Sequence, residues 1–380
     1  MALTIIQQPH NISPNSNINA WVLNSNNNNF IYVIAEITAT ITGTLITRKK
    51  IFPKPFSSNV VIELSSILES ICESILLNSD ELITKTNLPA YNITFKEYVI
   101  DSSTGVITAT GNDLIKNNNY FFESQENIID FASYTANKYN INTTDTKALF
   151  LTNQPSLKNT TTLQKENLKI FDINNIAKKI KIMLYDSDND FLKDFLIDIP
   201  VAGNVINLNI TPSIVLNHPL IKNTDEALIT NIYKIVLLDI NNKEVTEPQI
   251  IRMLDACNKK ETNIVYKNTL GGWDSLIFNS KIETIGINKT YFNKQNNSIT
   301  YSQDGKYVNN KELIKADTTY TYTASSDLLD DFESKQIKEL LTSNKVYAVV
   351  NNLYVEISID NKSYKVLQRH TNGYKKTDWN

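Results

Sequence analysis

Gly271-Gly272-Trp273-Asp274 places two of the chain's only 9 glycines side by side, ahead of an indole and an acid. Adjacent glycines can present backbone N–H groups to a phosphate. That chemistry needs glycines at fixed spacing and a following helix whose N-terminus faces the anion. Here "WDSLIFNS" follows, which alternates as a strand and carries no Lys-Ser/Thr pair. Phosphate binding is not expected.

Asp186, Asp188 and Asp190 stand at alternate positions, as at the start of a calcium loop. Such a loop also needs glycine at its sixth position and a bidentate glutamate at its twelfth. Phe191 and Ile197 occupy those places, so "DSDND" reads as a hairpin turn bearing solvated acids. His10, His218 and His370 are scattered, and no nucleophile elbow, Cys-His pattern or His-Glu-x-x-His is present. A carboxylate pair for glycoside hydrolysis could be assembled from distant positions, but nothing singles one out. Trp21, Trp273, Trp379 and 18 tyrosines could stack on sugars, although aromatics in β-rich proteins more commonly pack in sheets or subunit interfaces. No catalytic, cofactor or metal residue is assigned, and an enzyme is not expected.

The elements that hold these residues are mostly strands. At 380 residues the chain has room for two or three domains, and 41% hydrophobic content supplies packed cores. A net charge of −3 argues against nucleic acid or an anionic membrane as partner. No apolar run is long enough to span a bilayer, and the first residues carry no recognisable leader. Cys72 and Cys257 are isolated, which suits a reducing cytoplasm. About 50 asparagines and only three arginines reflect an AT-rich coding bias.

Residues 30–52 read as one or two strands with Gly43 near the turn, and 91–111 as a hairpin turning at "DSSTG". Between them, 63–77 has helical spacing, with Ser65 or Ser66 as cap. A second passage repeats the order: a hairpin over 176–200, a strand and short helix over 205–219, and a hairpin over 231–245 turning at Asn-Asn. Residues 60–70 overlay 205–215, and 92–101 overlay 232–241. In the third region, 289–310 holds turn signals between Tyr-rich strands and 318–326 alternates like a strand. Residues 326–341 form an amphipathic helix capped by Ser326, 345–359 form a hairpin with an Asn-Asn turn, and 363–370 a last strand. The expected fold is mainly β with a few short helices. It comprises a β-sandwich-like module (1–112), a polar linker or arm (113–170), a second similar module (171–261) and a C-terminal β-rich domain (262–380).

The opening "IIQQPHNISPNSNINAWVLNS", the following "FIYVIAEI" and "ELSSILES", the glycine segment, and the closing "ASSDLLDDFESKQIKELLTSNKVYAVVNNLYVEISIDNKSYKV" together resemble a family of virion proteins. These come from tailed phages of Bacteroidota, including crAss-like phages. Gly271, Gly272, Asp274 and Phe278 match that family's "GG.D...F" segment, with Trp273 where such proteins often have Phe. The resemblance covers most of the chain in outline, and residues from about 112 to 170 have no counterpart in it. It implies a tail hub or distal-tail ring protein, built of β-sandwich modules, binding itself and other tail proteins. Such a protein is made in the host cytoplasm and located in the virion. Within it, the glycines permit a backbone bend, Trp273 anchors a sheet or a neighbouring subunit, and Asp274 caps the turn. The alternative is a carbohydrate- or receptor-binding module of a tail fibre; a phage-borne glycan hydrolase is a third reading.

Overall fold

The structure is a computed structural model. It describes residues 3–16, 18–72, 76, 80–124, 135–142, 146–162, 164–254, 261–278, 280–293, 311–325, 331–360, 365–368 and 375–378. The fold is mainly β with several short helices, as the alternation of β-branched residues predicts.

The first module contains β1 (Thr4–Gln7), β2 (Ile12–Pro14), β3 (Ala20–Asn24), β4 (Phe30–Ala39), β5 (Leu45–Ile51), β6 (Asn59–Glu63) and helix α1 (Ser65–Ile71). The chain then leaves the module as β7 (Ile83–Thr86) and returns as β8 (Ala90–Ile100), β9 (Ile107–Ala109) and β10 (Leu114–Phe122). A small sheet of order β1-β3-β6 faces a larger one of order β2-β10-β8-β4-β5, with β9 beside β8. The alternation explains the layering. Val33, Ala35 and Ile37 of β4 and Tyr91, Ile93 and Phe95 of β8 point inward onto Trp21, Leu23, Val60 and Ile62 of the small sheet. Leu68 of α1 closes the end of that core. Glycines at the turns take positive φ, +66° at Gly43 and +69° at Gly105, where a Cβ would be strained.

The second module contains β11 (Leu157–Thr160), β12 (Asn167–Phe171), β13 (Lys179–Tyr185), β14 (Phe191–Asp198), β15 (Val205–Asn209), α3 (Pro212–Leu216), α4 (Asp225–Ile229), β16 (Ile232–Leu238) and β17 (Gln249–Met253). It is preceded by a one-turn helix, α2 (Ala136–Tyr139). Its large sheet runs β11-β17-β16-β13-β14. Every member corresponds in chain order to one of β2-β10-β8-β4-β5. The unusual parallel pair recurs too: β2 lies parallel to β10, and β11 parallel to β17. The two modules are therefore one topology used twice.

The register of that repeat differs from one of the two sequence overlays. Buried Val60, Ile62 and Leu64 match buried Ile206, Leu208 and Ile210, one residue away from the overlay of 60–70 on 205–215. The overlay of 92–101 on 232–241, by contrast, keeps the faces in phase, with Ile93 and Phe95 inward over Tyr233 and Ile235.

The segment expected as a polar linker or arm does not behave as one where it is described. Residues 114–122 pair with β8, and 146–171 supply the first two strands of the second module. Its polarity misled because Lys158, Thr160 and Glu166 are buried against one another rather than solvated.

Turn chemistry follows the sequence. Asp186 Oδ1 accepts the N–H groups of Asp188 and Asp190, so "DSDND" is a hairpin turn. After β16, Asp239 Oδ1 accepts the N–H groups of Asn241 and Lys243, with Asn242 at φ +62°. Helix α1 is capped differently from expectation. Glu63 Oε1 accepts the N–H groups of Leu64 and Ser65, at 3.1 and 3.0 Å, in place of a serine hydroxyl cap.

The C-terminal domain holds β18 (Thr262–Lys267), β19 (Trp273–Phe278), β20 (Ser280–Asn293), β21 (Lys311–Ser325), α5 (Asp331–Thr342), β22 (Val346–Val350), β23 (Leu353–Glu356), β24 (Lys365–Gln368) and β25 (Lys375–Asp378). Ile337 and Leu340 of α5 pack on Ile264, Tyr266 and Leu276 of a sheet ordered β19-β18-β22-β23. Ser326, Leu328 and Leu329, expected at the start of that helix, lie outside the described residues, as do the turn signals of 294–310.

Candidate functional site

The loop 268–272 joins β18 to β19, and Asn268 closes it. Asn268 Oδ1 accepts the Gly272 N–H at 2.9 Å, and its carbonyl accepts the Gly271 N–H at 3.1 Å. Both glycine N–H groups are thus engaged within the turn, which leaves neither for a phosphate.

Each glycine instead admits another part of the chain. Gly271 sits at φ +86°, and a Cβ there would lie 2.3 Å from the carbonyl of Glu123, just after β10. A Cβ on Gly272 would lie 1.8 Å from the Leu151 carbonyl. Lys169 Nζ of β12 donates to the Gly271 carbonyl at 3.2 Å. The loop is a junction where the first module, the lead-in to the second and the C-terminal domain meet.

Apolar contact at this junction comes from Ile12, Leu88 and Phe122 of the first module, Phe171 and Val205 of the second, and Leu151 and Leu270. Ionic contact comes from Lys267 and Glu123, 2.6 Å apart. Burial pushes Lys267 down to about 8 against the pull of Glu123. Burial also acts on Glu123, but the Lys267 hydrogen bond prevails and holds it below the usual carboxylate range.

Trp273 is buried within the single chain and packs 5.7 Å from Tyr347 of β22. It anchors its own sheet, and its indole offers no face to a neighbouring subunit. Asp274 does not cap the glycine turn. It is fully buried; Oδ1 accepts the Thr152 hydroxyl at 2.6 Å and Oδ2 accepts the Asn153 N–H at 3.2 Å. Burial holds its carboxyl above the usual range. Asn153 Nδ2 then donates to Glu339 Oε2 of α5 at 3.0 Å, and burial, with the Asp274 charge adding to it, pushes Glu339 up to about 7.

Beside Asp274, Ser275 Oγ accepts from Lys158 Nζ at 2.8 Å. A serine beside a lysine can be a nucleophile with its base. Here Lys158 Nζ also contacts Glu166 Oε1 at 2.6 Å and donates to the Ser275 carbonyl at 3.0 Å, so its polar contacts are spent on holding the strands together. Gln164 Nε2 completes the cluster by donating to Ser275 Oγ at 2.9 Å, and all four side chains are buried. The cluster is a clamp between β11, the start of β12 and β19. Sequence inspection missed Lys158, Glu166, Asn268 and Glu339; only Asn268 carried a local signal, as an asparagine in a turn.

The outward-facing feature is the ribbon of β20 and β21, paired from Ser280↔Ser325 to Asn293↔Lys311. Every side chain over 282–292 and 311–323 is exposed. One face carries Ile285, Ile287, Tyr291, Leu313, Tyr320 and Tyr322 with Glu283 and Lys289 among them; the other carries Ile282 and Phe292 with Thr284, Gly286, Asn288, Asp317, Thr319 and Thr321. At the usual strand rise, a 14-residue strand reaches about 45 Å.

No family model matches this chain. None of the curated proteins matches it in sequence either. Among the described residues, no helix is long and apolar enough to cross a membrane, and no three His, Cys, Asp or Glu side chains are grouped to hold a metal ion.

Proposed function

We propose that this chain is a structural subunit of a phage tail, in the hub or distal ring, which binds copies of itself and other tail proteins. The observation that carries this reading is the β20–β21 ribbon. A two-stranded ribbon is marginal in water by itself, and this one exposes an aliphatic and aromatic face along most of its length. Covering the six large apolar side chains named on the first face would contribute on the order of 10 kcal/mol before the costs of association. A ring subunit has such a partner in the next copy.

The junction supports the same reading from the inside. Three units are tied by the Lys267–Glu123 ion pair, by the Lys158–Ser275 hydrogen bond and by glycines that admit foreign carbonyls, which suits a stiff scaffold that must present its outer surfaces in fixed relation. Trp21 and Trp273 are buried, so neither serves as a sugar platform in the receptor-module alternative.

The test compares the intact chain with one in which residues 280–325 are replaced by a short Gly-Ser turn. Sedimentation should show self-association of the intact chain and its loss in the shortened one, with the melting transition of the remainder retained. Incorporation into purified particles should fall with it. Release of reducing sugar from host capsule by the purified chain would overturn the proposal.

A further inference from the structure

We infer that the open edge of β6 in the first module receives residues 217–231 of a second copy, through backbone pairing at Val61. This rests on the assembly reading above and narrows it to one surface and one partner segment.

The internal repeat supplies the argument. The two small sheets correspond strand for strand, β3-β6 with β12-β15, and among the described residues a strand covers the far edge of the second but not of the first. There β7, which leaves the first module between α1 and β8, adds to β15 with Asn207↔Thr84 and Leu208↔Ile83 in register. One module thus donates the strand that completes the next. The corresponding edge of the first module, β6, has no donated strand among the described residues.

Backbone geometry marks where it would pair. The bonds Ser25 N–H to Ser58 O and Leu64 N–H to Asn19 O fix the alternation, so residues 59, 61 and 63 turn their polar groups outward. Asn59 O takes the Lys54 N–H and Glu63 O takes Lys49 Nζ. Val61, the counterpart of Asn207 in the β15 strand, meets no partner on that edge among the described residues. An open edge is a template for another chain.

The donor follows from the same correspondence. In the first module β7 comes from the stretch between α1 and β8; in the second, the matching stretch between α3 and β16 is 217–231. It carries Leu220, Leu228 and Ile229 exposed, Leu228 at 84%. Its regular structure is the five-residue α4, and Ile221, buried in the core of the second module, tethers the segment while 225–229 stay at the surface. On charge, Asp225 and Glu226 outnumber Lys222 on the donor, while Lys49 and Lys54 reach the acceptor strand at the Glu63 and Asn59 carbonyls. Glu226 pairs with Lys193 at 3.5 Å on the surface.

Repeated head to tail, this contact extends the alternation of modules from within one chain to a succession of chains. The test uses the full chain in sedimentation velocity across micromolar concentrations. Val61→Pro removes an outward N–H that bonds nothing in the free chain, and Leu228→Asp alters an exposed side chain; an unchanged melting curve verifies the fold of each. Each should weaken self-association at least tenfold. In a Cys72→Ser, Cys257→Ser background, a mixture of Val61→Cys and Leu228→Cys chains should form a disulfide-linked dimer that neither forms alone.

Association unaffected by both substitutions, absence of that mixed disulfide, or a chain that is monomeric throughout overturns the docking. Particle incorporation is scored separately. Incorporation with unaltered association sinks this contact and leaves the tail reading in place, whereas a chain absent from particles sinks the tail reading.

Discussion

The carboxylate of Asp274 accepts the Thr152 hydroxyl at 2.6 Å although the two residues lie 122 positions apart. With the Asn153 N–H on its other oxygen, Asp274 holds the lead-in of the second module against β19 of the C-terminal domain. The same stretch places the Leu151 carbonyl where only a glycine at 272 leaves room.

Gly272→Ala is therefore expected to destabilise the chain by about 2–4 kcal/mol, because the clash is with backbone rather than with a movable side-chain end. Gly286→Ala is the internal comparison: its nearest neighbour is the Thr319 carbonyl at 3.7 Å, ordinary contact. Urea midpoints of the two variants should separate clearly. Equal midpoints would mean that Leu151 yields without cost.

Removing the buried cation should be worse than removing the pair. Lys158→Met leaves Glu166 without its counter-charge and should cost about 3–5 kcal/mol. The double variant Lys158→Met, Glu166→Leu should recover much of that loss, since the desolvated charges disappear together. A double-mutant cycle by denaturant unfolding reads the coupling directly.

Protonation at the junction gives a pH signature. Glu339 is raised from 4.5 to about 7. Between those values the unfolded chain loses a proton that the folded chain keeps. Stability contributed by the neutral carboxyl is complete below about 4.5, declines as pH rises, and is gone above 7. Glu339→Gln keeps an acceptor for Asn153 Nδ2 and should flatten the melting temperature across that window. At pH 8 it should gain on the order of 1–2 kcal/mol over the unsubstituted chain. An unchanged slope would assign the titration elsewhere.

The β22–β23 turn makes a smaller prediction. Asn351 and Asn352 both take positive φ, +50° and +68°, the pattern of a type I′ hairpin. Asn352→Gly should be neutral or stabilising by a few tenths of a kcal/mol, and Asn351→Val should cost about 1 kcal/mol. Thermal melts of both variants check the sign.

Local elements were legible because their causes are local. Alternation in β4 and β8, Gly43 and Gly105 at their turns, Asp186 in its hairpin and the helical spacing of Ile337 and Leu340 each need only a few neighbouring residues to be read. The duplicated order of elements was visible for the same reason. Its register was legible only in part, since inward and outward faces are set by which strand lies opposite. Trp273 and Asp274 drew notice by type, but their partners Tyr347 and Thr152 are far away in the chain.

From residue order alone follow a β-rich class, most turns, the amphipathic α5 and the absence of a familiar catalytic motif. Folding in three dimensions turned a polar stretch into two sheet strands, made the glycine pair a junction of three units, and, among the described residues, left one sheet edge uncovered while closing its twin. The cause is physical: strand and turn preferences depend on adjacent residues, whereas the cost of burying Lys158, Glu166 or Asp274 depends on partners that only the assembled chain brings within reach.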